Sequence, residues 1–250
     1  MQTAAAMTAG PGAGTPVPGQ PEQAAVRSMF DRIAPRYDLL NRVLSAGTDV
    51  RWRRAAVDLL ELRPAARVLD LCTGTADLLV EALGRDAASR GVGVDLSSGM
   101  LSRGARKLHE RGLAARTVLV GGDAERLPLR DAWFDGALVA FGIRNVSDRP
   151  RALREARRVL KPGGRLVVLE FSMPRGLLGA AYRLYFGRVL PLVGRMVSGD
   201  SSAYAYLPAS VAVFPEPPEF GALMEQAGFR DVRWRPLSAG IAHLYRGDAA

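Results

Sequence analysis

The stretch Asp70-Leu71-Cys72-Thr73-Gly74-Thr75-Ala76-Asp77-Leu78 follows Arg67-Val68-Leu69, so it reads as the end of a buried strand, a turn and the start of a helix. Such junctions bind ligands because backbone amides at a helix start attract anions, and glycine lets a ligand approach the backbone closely. Here Gly74 is the single glycine and Asp70 opens the turn. Neither G-x-G-x-x-G nor G-x-x-x-x-G-K-[ST] is present, which argues against a dinucleotide and against a P-loop nucleotide. A carboxylate would repel phosphate but favour an ammonium or sulfonium group.

Outward from this loop, strands are expected over 67–71, 91–95, 116–121, 134–140 and 165–171, with helices over 76–88, 98–111 and 149–160 between them. Alternation of this kind implies an α/β fold, Rossmann-like, built on a mostly parallel sheet with helices on both faces. A helix over 217–229 and two final strands near 231–236 and 241–246 complete seven strands. Two segments interrupt the pattern. Residues 24–60 read as a helical lid, and residues 174–215 as an insertion after the fifth strand. Both are expected near the carboxyl ends of the strands, where open α/β sheets bind ligands. Residues 1–23, dominated by Ala, Gly, Pro and Thr, read as a disordered tail before one domain over 24–248.

The chain has 250 residues, 48% of them hydrophobic, and a formal charge of +9 carried almost entirely by arginine, since Lys107 and Lys161 are the only lysines. Such a charge raises nucleic acid or an anionic membrane as partners. Cys72 is the only cysteine, so an internal disulfide and a clustered-thiol metal site are excluded. His109 and His243 lack metal-ligand spacing, and no metal is expected. A cytoplasmic location follows from the lone cysteine and from residues 1–26, which carry neither a basic residue nor a sustained apolar stretch.

Three acids stand at three successive strand ends. Asp70 suits a cation, and Asp95 can accept hydrogen bonds from two ribose hydroxyls. Asp123, beside the small residue Ala124, can bond an exocyclic adenine amine. A cationic amino acid, ribose and adenine together describe S-adenosyl-L-methionine. Each acid also has an ordinary structural explanation: Asp70 as a strand-end cap, Asp95 as a helix N-cap, Asp123 as a turn residue.

The segments VLDLCTGTADL, VGVDLSSGML, GDAERLPL, FDGALVAFGIRNV and REARRVLKPGGRLVVLEF, over residues 67–171, resemble the successive motifs of class I methyltransferases. With VRSMFDRIAPRYDLLNRVLSAGTDVRWRR upstream and GDSSAYAYLPASVAVFPEPPEFGALMEQAGF downstream, the chain from Val26 to Gly247 resembles the demethylmenaquinone and polyprenyl-benzoquinol C-methyltransferases. The resemblance implies cofactor contacts at Thr75, Asp95, Asp123 and Ala124, beside Asp70 and Gly74. It also implies C-methylation of a reduced polyprenyl quinone precursor, demethylmenaquinol first. Ala140 stands where relatives often carry serine, leaving a backbone contact to the cofactor there. Thr73 and Ala76 replace glycines common in the broader class.

Methylating a ring carbon needs an acceptor made electron-rich by ionising a neighbouring hydroxyl, a group that titrates near ~10. Arg144, just after the fourth strand, could supply charge to that oxyanion, with Asn145 orienting a hydroxyl or water and the proton leaving through water or to a nearby acid such as Asp38. A surface pair between Arg144 and Asp148 is the alternative. Tyr37 and Phe30 could close over the cofactor, or pack as an amphipathic helix does. Residues 176–199, apolar with three arginines, suit either a polyprenyl tail beside an anionic membrane, a homodimer interface or plain core. FGIRN differs from the N/D-P-P-Y/F segment used on exocyclic amines, so nucleic acid is not the expected partner. A methyltransferase of soluble secondary metabolites and a non-catalytic S-adenosylmethionine-binding protein stand as the other readings.

Overall fold

Strand β1 (Arg67–Leu71) lies at the centre of a seven-stranded sheet ordered β3-β2-β1-β4-β5-β7-β6 in the computed structural model. The model describes residues 23–45, 47–174, 176, 179, 184 and 201–250. Strands β2 (Arg90–Asp95), β3 (Thr117–Gly121), β4 (Phe134–Ala140) and β5 (Leu160–Phe171) run parallel to β1. The final hairpin, β6 (Phe229–Leu237) and β7 (Ala242–Ala249), places β7 antiparallel to both of its neighbours.

Parallel strands covered on both faces must be apolar on both, and the packing follows that rule. Leu69, Leu71, Leu166 and Val168 enter one core layer, while Val68, Val167 and Leu169 enter the other. The first layer is closed by α6 (Arg149–Val159) and α8 (Pro217–Gln226), through Leu153, Ala156, Phe220 and Met224. The second is closed by α3 (Thr48–Leu60) and α4 (Asp77–Leu83), and α5 (Ser98–Glu110) packs beside α4 through Leu108. Complete burial of each such aliphatic side chain contributes ~1.5–3 kcal/mol.

Several boundaries differ from expectation, two of them by five residues. Helix α4 ends at Leu83, and β5 begins at Leu160 rather than after the Lys161-Pro162-Gly163-Gly164 turn, pairing with Phe134 across a register shift.

The N-terminal helical segment also divides. Helices α1 (Gln23–Ile33) and α2 (Tyr37–Leu44), joined by a 3-10 turn, reach the loops at the carboxyl ends of the strands. Helix α3 does not act as a lid. Trp52, Ala56, Val57 and Leu60 are buried against the sheet, because its apolar face matches the layer beneath β4 and β5. Within the second interruption, α7 spans Ser201–Ala212. The expected tail lining and disordered tail, 176–199 and 1–23, lie almost wholly outside the described residues.

Candidate active site

The strand order reverses between β1 and β4, and the loops leaving these strands part there into a cleft, as expected of a topological switch point. The ends of β1 to β4 line it: Gly74 after β1, Asp95 at the end of β2, Asp123 and Ala124 after β3, Ala140 at the end of β4 and Asn145 after it. Tyr37 and Phe30 from the N-terminal helices also line it, their rings meeting edge to face at 6.1 Å.

Asp70 is 1% exposed and opens on an adjoining recess with Tyr37, Arg53 and Thr75. Its Oδ2 accepts from Thr73 Oγ1 at 2.6 Å, while Oδ1 is buried with no partner among the described residues. Burial pushes the carboxyl up to about 7, against the lowering effect of the Thr73 bond. An uncompensated buried carboxylate oxygen is costly, and a cationic group in the recess would relieve that cost. This is the point where the residues present fit the amino-acid end of S-adenosylmethionine.

Asp95 is not the N-cap of α5. Ser97 fills that role, its Oγ accepting from the amide of Met100 at 3.1 Å. Asp95 instead joins two loops, accepting from the amides of Gly74 and Ser97 at 2.8 Å each. Burial raises its carboxyl despite these bonds. Asp123 does stabilise its turn, accepting from the amide of Glu125 at 2.9 Å, and it lines the cleft as well.

The two missing glycines do not block the cleft. Thr73 is drawn aside by Asp70, and Ala76 is wholly buried in the left-handed region at φ 65°, packed where Gly104 of α5 has no side chain. Gly104 relieves what would be a tight contact with the Ala76 methyl group. Cys72 and Phe141, both in the cleft wall, also have positive φ, 53° and 56°. Non-glycine residues so placed cost ~1–3 kcal/mol each and cluster at functional sites.

After β4, residues Ile143–Asn145 form a 3-10 turn. A Cβ at Gly142 would collide with Cβ of Cys72, so only glycine lets the β1 and β4 loops meet here. Arg144 does not pair with Asp148, whose side chain caps α6. Nor is Arg144 among the residues lining the cleft. It is 6% exposed, and Nη1 lies 2.9 Å from Oε1 of the fully buried Glu170 while also donating to the Phe141 carbonyl. The alternative of an exposed pair with Asp148 fails on both partner and setting: burial between the ends of β4 and β5 excludes water, so the charge must be neutralised locally. Asn145 does face the cleft, its Oδ1 accepting from Tyr206 of α7 at 2.9 Å.

Asp38 is likewise outside the cleft wall. Its carboxylate accepts from Thr75 Oγ1 at 2.6 Å and pairs with Lys107 at 2.7 Å. Its oxygens already hold a hydroxyl and an ammonium, and it lines neither the cleft nor the recess beside Asp70. No local pattern in the sequence marks Lys107, Arg53 or Tyr206 as parts of the site. Lys107 and Arg53 reach the site from helix faces far away in the chain, and only the VRWRR run around Arg53 hinted at it.

A seven-stranded sheet of this order, with an acid-lined cleft and no phosphate loop, defines a class I methyltransferase. A possible histamine N-methyltransferase of Thermotoga maritima has a similar fold, with a TM-score of 0.63 and 23% identity over 90% of this chain and 99% of that one. The model of the ubiE/COQ5 methyltransferase family matches residues 19–248, and the chain belongs to that family. It is 50% identical to a demethylmenaquinone methyltransferase of Thermus thermophilus, over 88% of this chain and 99% of that one. It is 52% identical to a ubiquinone/menaquinone biosynthesis C-methyltransferase of Syntrophotalea carbinolica, over 88% and 92%. The family implies S-adenosylmethionine as the cofactor.

Proposed function

We propose that the protein methylates a ring carbon of a reduced polyprenyl quinone precursor, demethylmenaquinol in the first instance, using S-adenosyl-L-methionine bound in the cleft. The observation that carries the reading is the convergence of Asp95 and Asp123 on one cleft, with Asp70 in the recess that adjoins it and the Asn145 turn closing the β4 side. Membership of the ubiE/COQ5 family, with two relatives named for menaquinone chemistry, supports the choice of acceptor.

In this reading Asp70 and Thr75 hold the amino-acid end, Asp95 the ribose, and Asp123 with the Ala124 amide the adenine. Ala140 contributes backbone alone. When bound, the cofactor supplies an electrophilic methyl group. The protein aligns donor and acceptor for an in-line displacement and stabilises charge on the acceptor. Asn145 donates to the ring oxygen. Arg144 acts behind it, holding the turn through Glu170, and the ring hydroxyl's proton leaves through water rather than to Asp38. Tyr37 and Phe30 exclude water from the methyl group.

The polyprenyl tail needs an apolar path. A groove runs beside the end of β5, with Met173, Val211, Phe214, Trp234 and Pro236 in its walls beside Glu216 and His243. It supports the tail reading in place of residues 176–199. Among the described residues no helix is long and apolar enough to cross a membrane; a peripheral contact with anionic lipid remains part of the proposal.

The test incubates purified protein and labelled S-adenosylmethionine with reduced demethylmenaquinone, a demethylated benzoquinol and RNA. Label in the naphthoquinol supports the reading. Label in RNA alone, or in none of the three, would falsify it. Salt-sensitive cosedimentation with anionic vesicles is expected, and its absence removes the membrane contact.

A further inference from the structure

Tyr206 stands in α7, in the segment between β5 and the last helix. Its Oη is 2.9 Å from Asn145 Oδ1, to which it donates. Burial pushes its phenol above the ordinary range, so the hydroxyl keeps its proton at neutral pH.

The bond matters because a side-chain amide has two nearly equivalent orientations with opposite chemistry. A tyrosine hydroxyl alone cannot choose between them, since it can donate to Oδ1 or accept from Nδ2. The Phe141 carbonyl makes the choice. It lies 3.4 Å from Asn145 Nδ2, and in the reversed orientation two carbonyl oxygens would face each other. The same carbonyl is already engaged by Arg144, so its hold on Asn145 is weak and long. Tyr206 is therefore the main restraint on the amide. With Oδ1 occupied and one N–H facing Phe141, the second N–H is the group Asn145 can offer to the cleft it lines.

We infer that Tyr206 is a positioning residue: by holding Oδ1 in the orientation that the Phe141 carbonyl selects, it keeps an amide hydrogen of Asn145, and not its carbonyl oxygen, turned to the acceptor, selecting rings with an ionised hydroxyl beside the methylated carbon. The inference rests on the proposed function and deepens it. A donor aimed at a developing oxyanion is worth ~100- to 1,000-fold in rate where such donors have been removed. Losing only the restraint on that donor costs less, about tenfold, comparable to one neutral hydrogen bond.

The experiment is a cycle of Tyr206→Phe, Asn145→Ala and both together in the full chain. Tyr206→Phe is expected to lower kcat about tenfold, with cofactor affinity and melting temperature near those of the native protein. In the Asn145→Ala background the same change should have no further effect, because the oriented group is gone. Additive losses, or a kcat unchanged by Tyr206→Phe, overturn the proposal. A second readout needs no turnover: binding of 1-naphthol to protein saturated with S-adenosylhomocysteine, measured below each melting transition. Native protein should bind it more tightly as pH rises towards the naphthol pKa, and both single variants should lose that gain together. Retention of the gain in Tyr206→Phe sinks the inference even for a less stable variant. A native protein that binds naphtholate in this way but does not methylate the quinol refutes the acceptor assignment and leaves the role of Tyr206 supported.

Discussion

Arg144 and Glu170 form a buried ion pair, 2.9 Å between Nη1 and Oε1, beneath the turn that carries Asn145. Glu170 also accepts from the amides of Arg144, at 3.2 Å, and Phe171, at 2.9 Å. Removing one partner of such a pair leaves a buried charge and costs ~3–5 kcal/mol, whereas replacing both with apolar groups can be nearly neutral. Arg144→Ala is therefore expected to lower the denaturant midpoint sharply as well as turnover. Arg144→Met with Glu170→Leu should recover most of the stability but little activity. Recovery of both would show that the pair has no part in holding the catalytic turn.

Asp70 predicts a pH dependence of known sign. Burial raises its carboxyl from 3.8 to about 7 in the fold. Between those values the native state binds more protons than the unfolded chain, so the stability of the ligand-free protein falls as pH rises through that window. A cation in the recess favours the ionised form, so cofactor affinity should increase from about pH 5.5 to about pH 7, with proton release. Calorimetry in buffers of different ionisation enthalpy measures that release. Asp70→Asn should flatten both profiles; an unchanged affinity profile in this variant removes Asp70 from the binding site.

The N-terminal helices are fastened to each of the three cofactor loops in turn. Gln23 donates to Asp123 and Glu125, at 3.2 and 3.0 Å. Asp31 accepts from Ser97 Oγ at 2.5 Å and the Gly99 amide at 3.0 Å. Asp38 binds Thr75 and Lys107. Lys107→Met removes an ammonium that also reaches Asp77 at 2.5 Å. Partly exposed pairs contribute modestly, so global stability should change by less than ~1 kcal/mol. Cofactor dissociation should nevertheless accelerate several-fold, because the strap opens more often. Stopped-flow displacement decides: an unchanged off-rate means that the strap does not gate release.

Gly74 has φ 53°, and a Cβ there would sit 3.9 Å from Tyr37 Cε1, in ordinary contact. The cost of Gly74→Val is thus backbone strain, ~1–2 kcal/mol for the left-handed region and more for a branched side chain. Because the Gly74 amide is also one of the donors to Asp95, cofactor affinity should fall at least about tenfold, one such strain penalty. Equilibrium dialysis with labelled cofactor tests this, and native affinity in the variant excludes close approach at Gly74.

The loop around Gly74 allowed much to be read early. Alternating apolar runs and turn residues located every strand and the acids at their ends, because strand periodicity and loop chemistry are local properties. Asp70, Asp95, Asp123, Ala140 and Asn145 could be placed on one edge of a parallel sheet for the same reason. The sequence by itself thus determined the order of elements and the kind of ligand the carboxylates would suit. Tertiary structure decided which groups face one another. Arg144 is four positions from Asp148 but pairs with Glu170 across two strands. Asp38 meets Lys107 of α5, Asn145 meets Tyr206 of α7, and Trp52 turns the expected lid helix into core. Such partnerships depend on burial, which makes an unpaired charge or amide costly, and burial is set only when distant segments pack together.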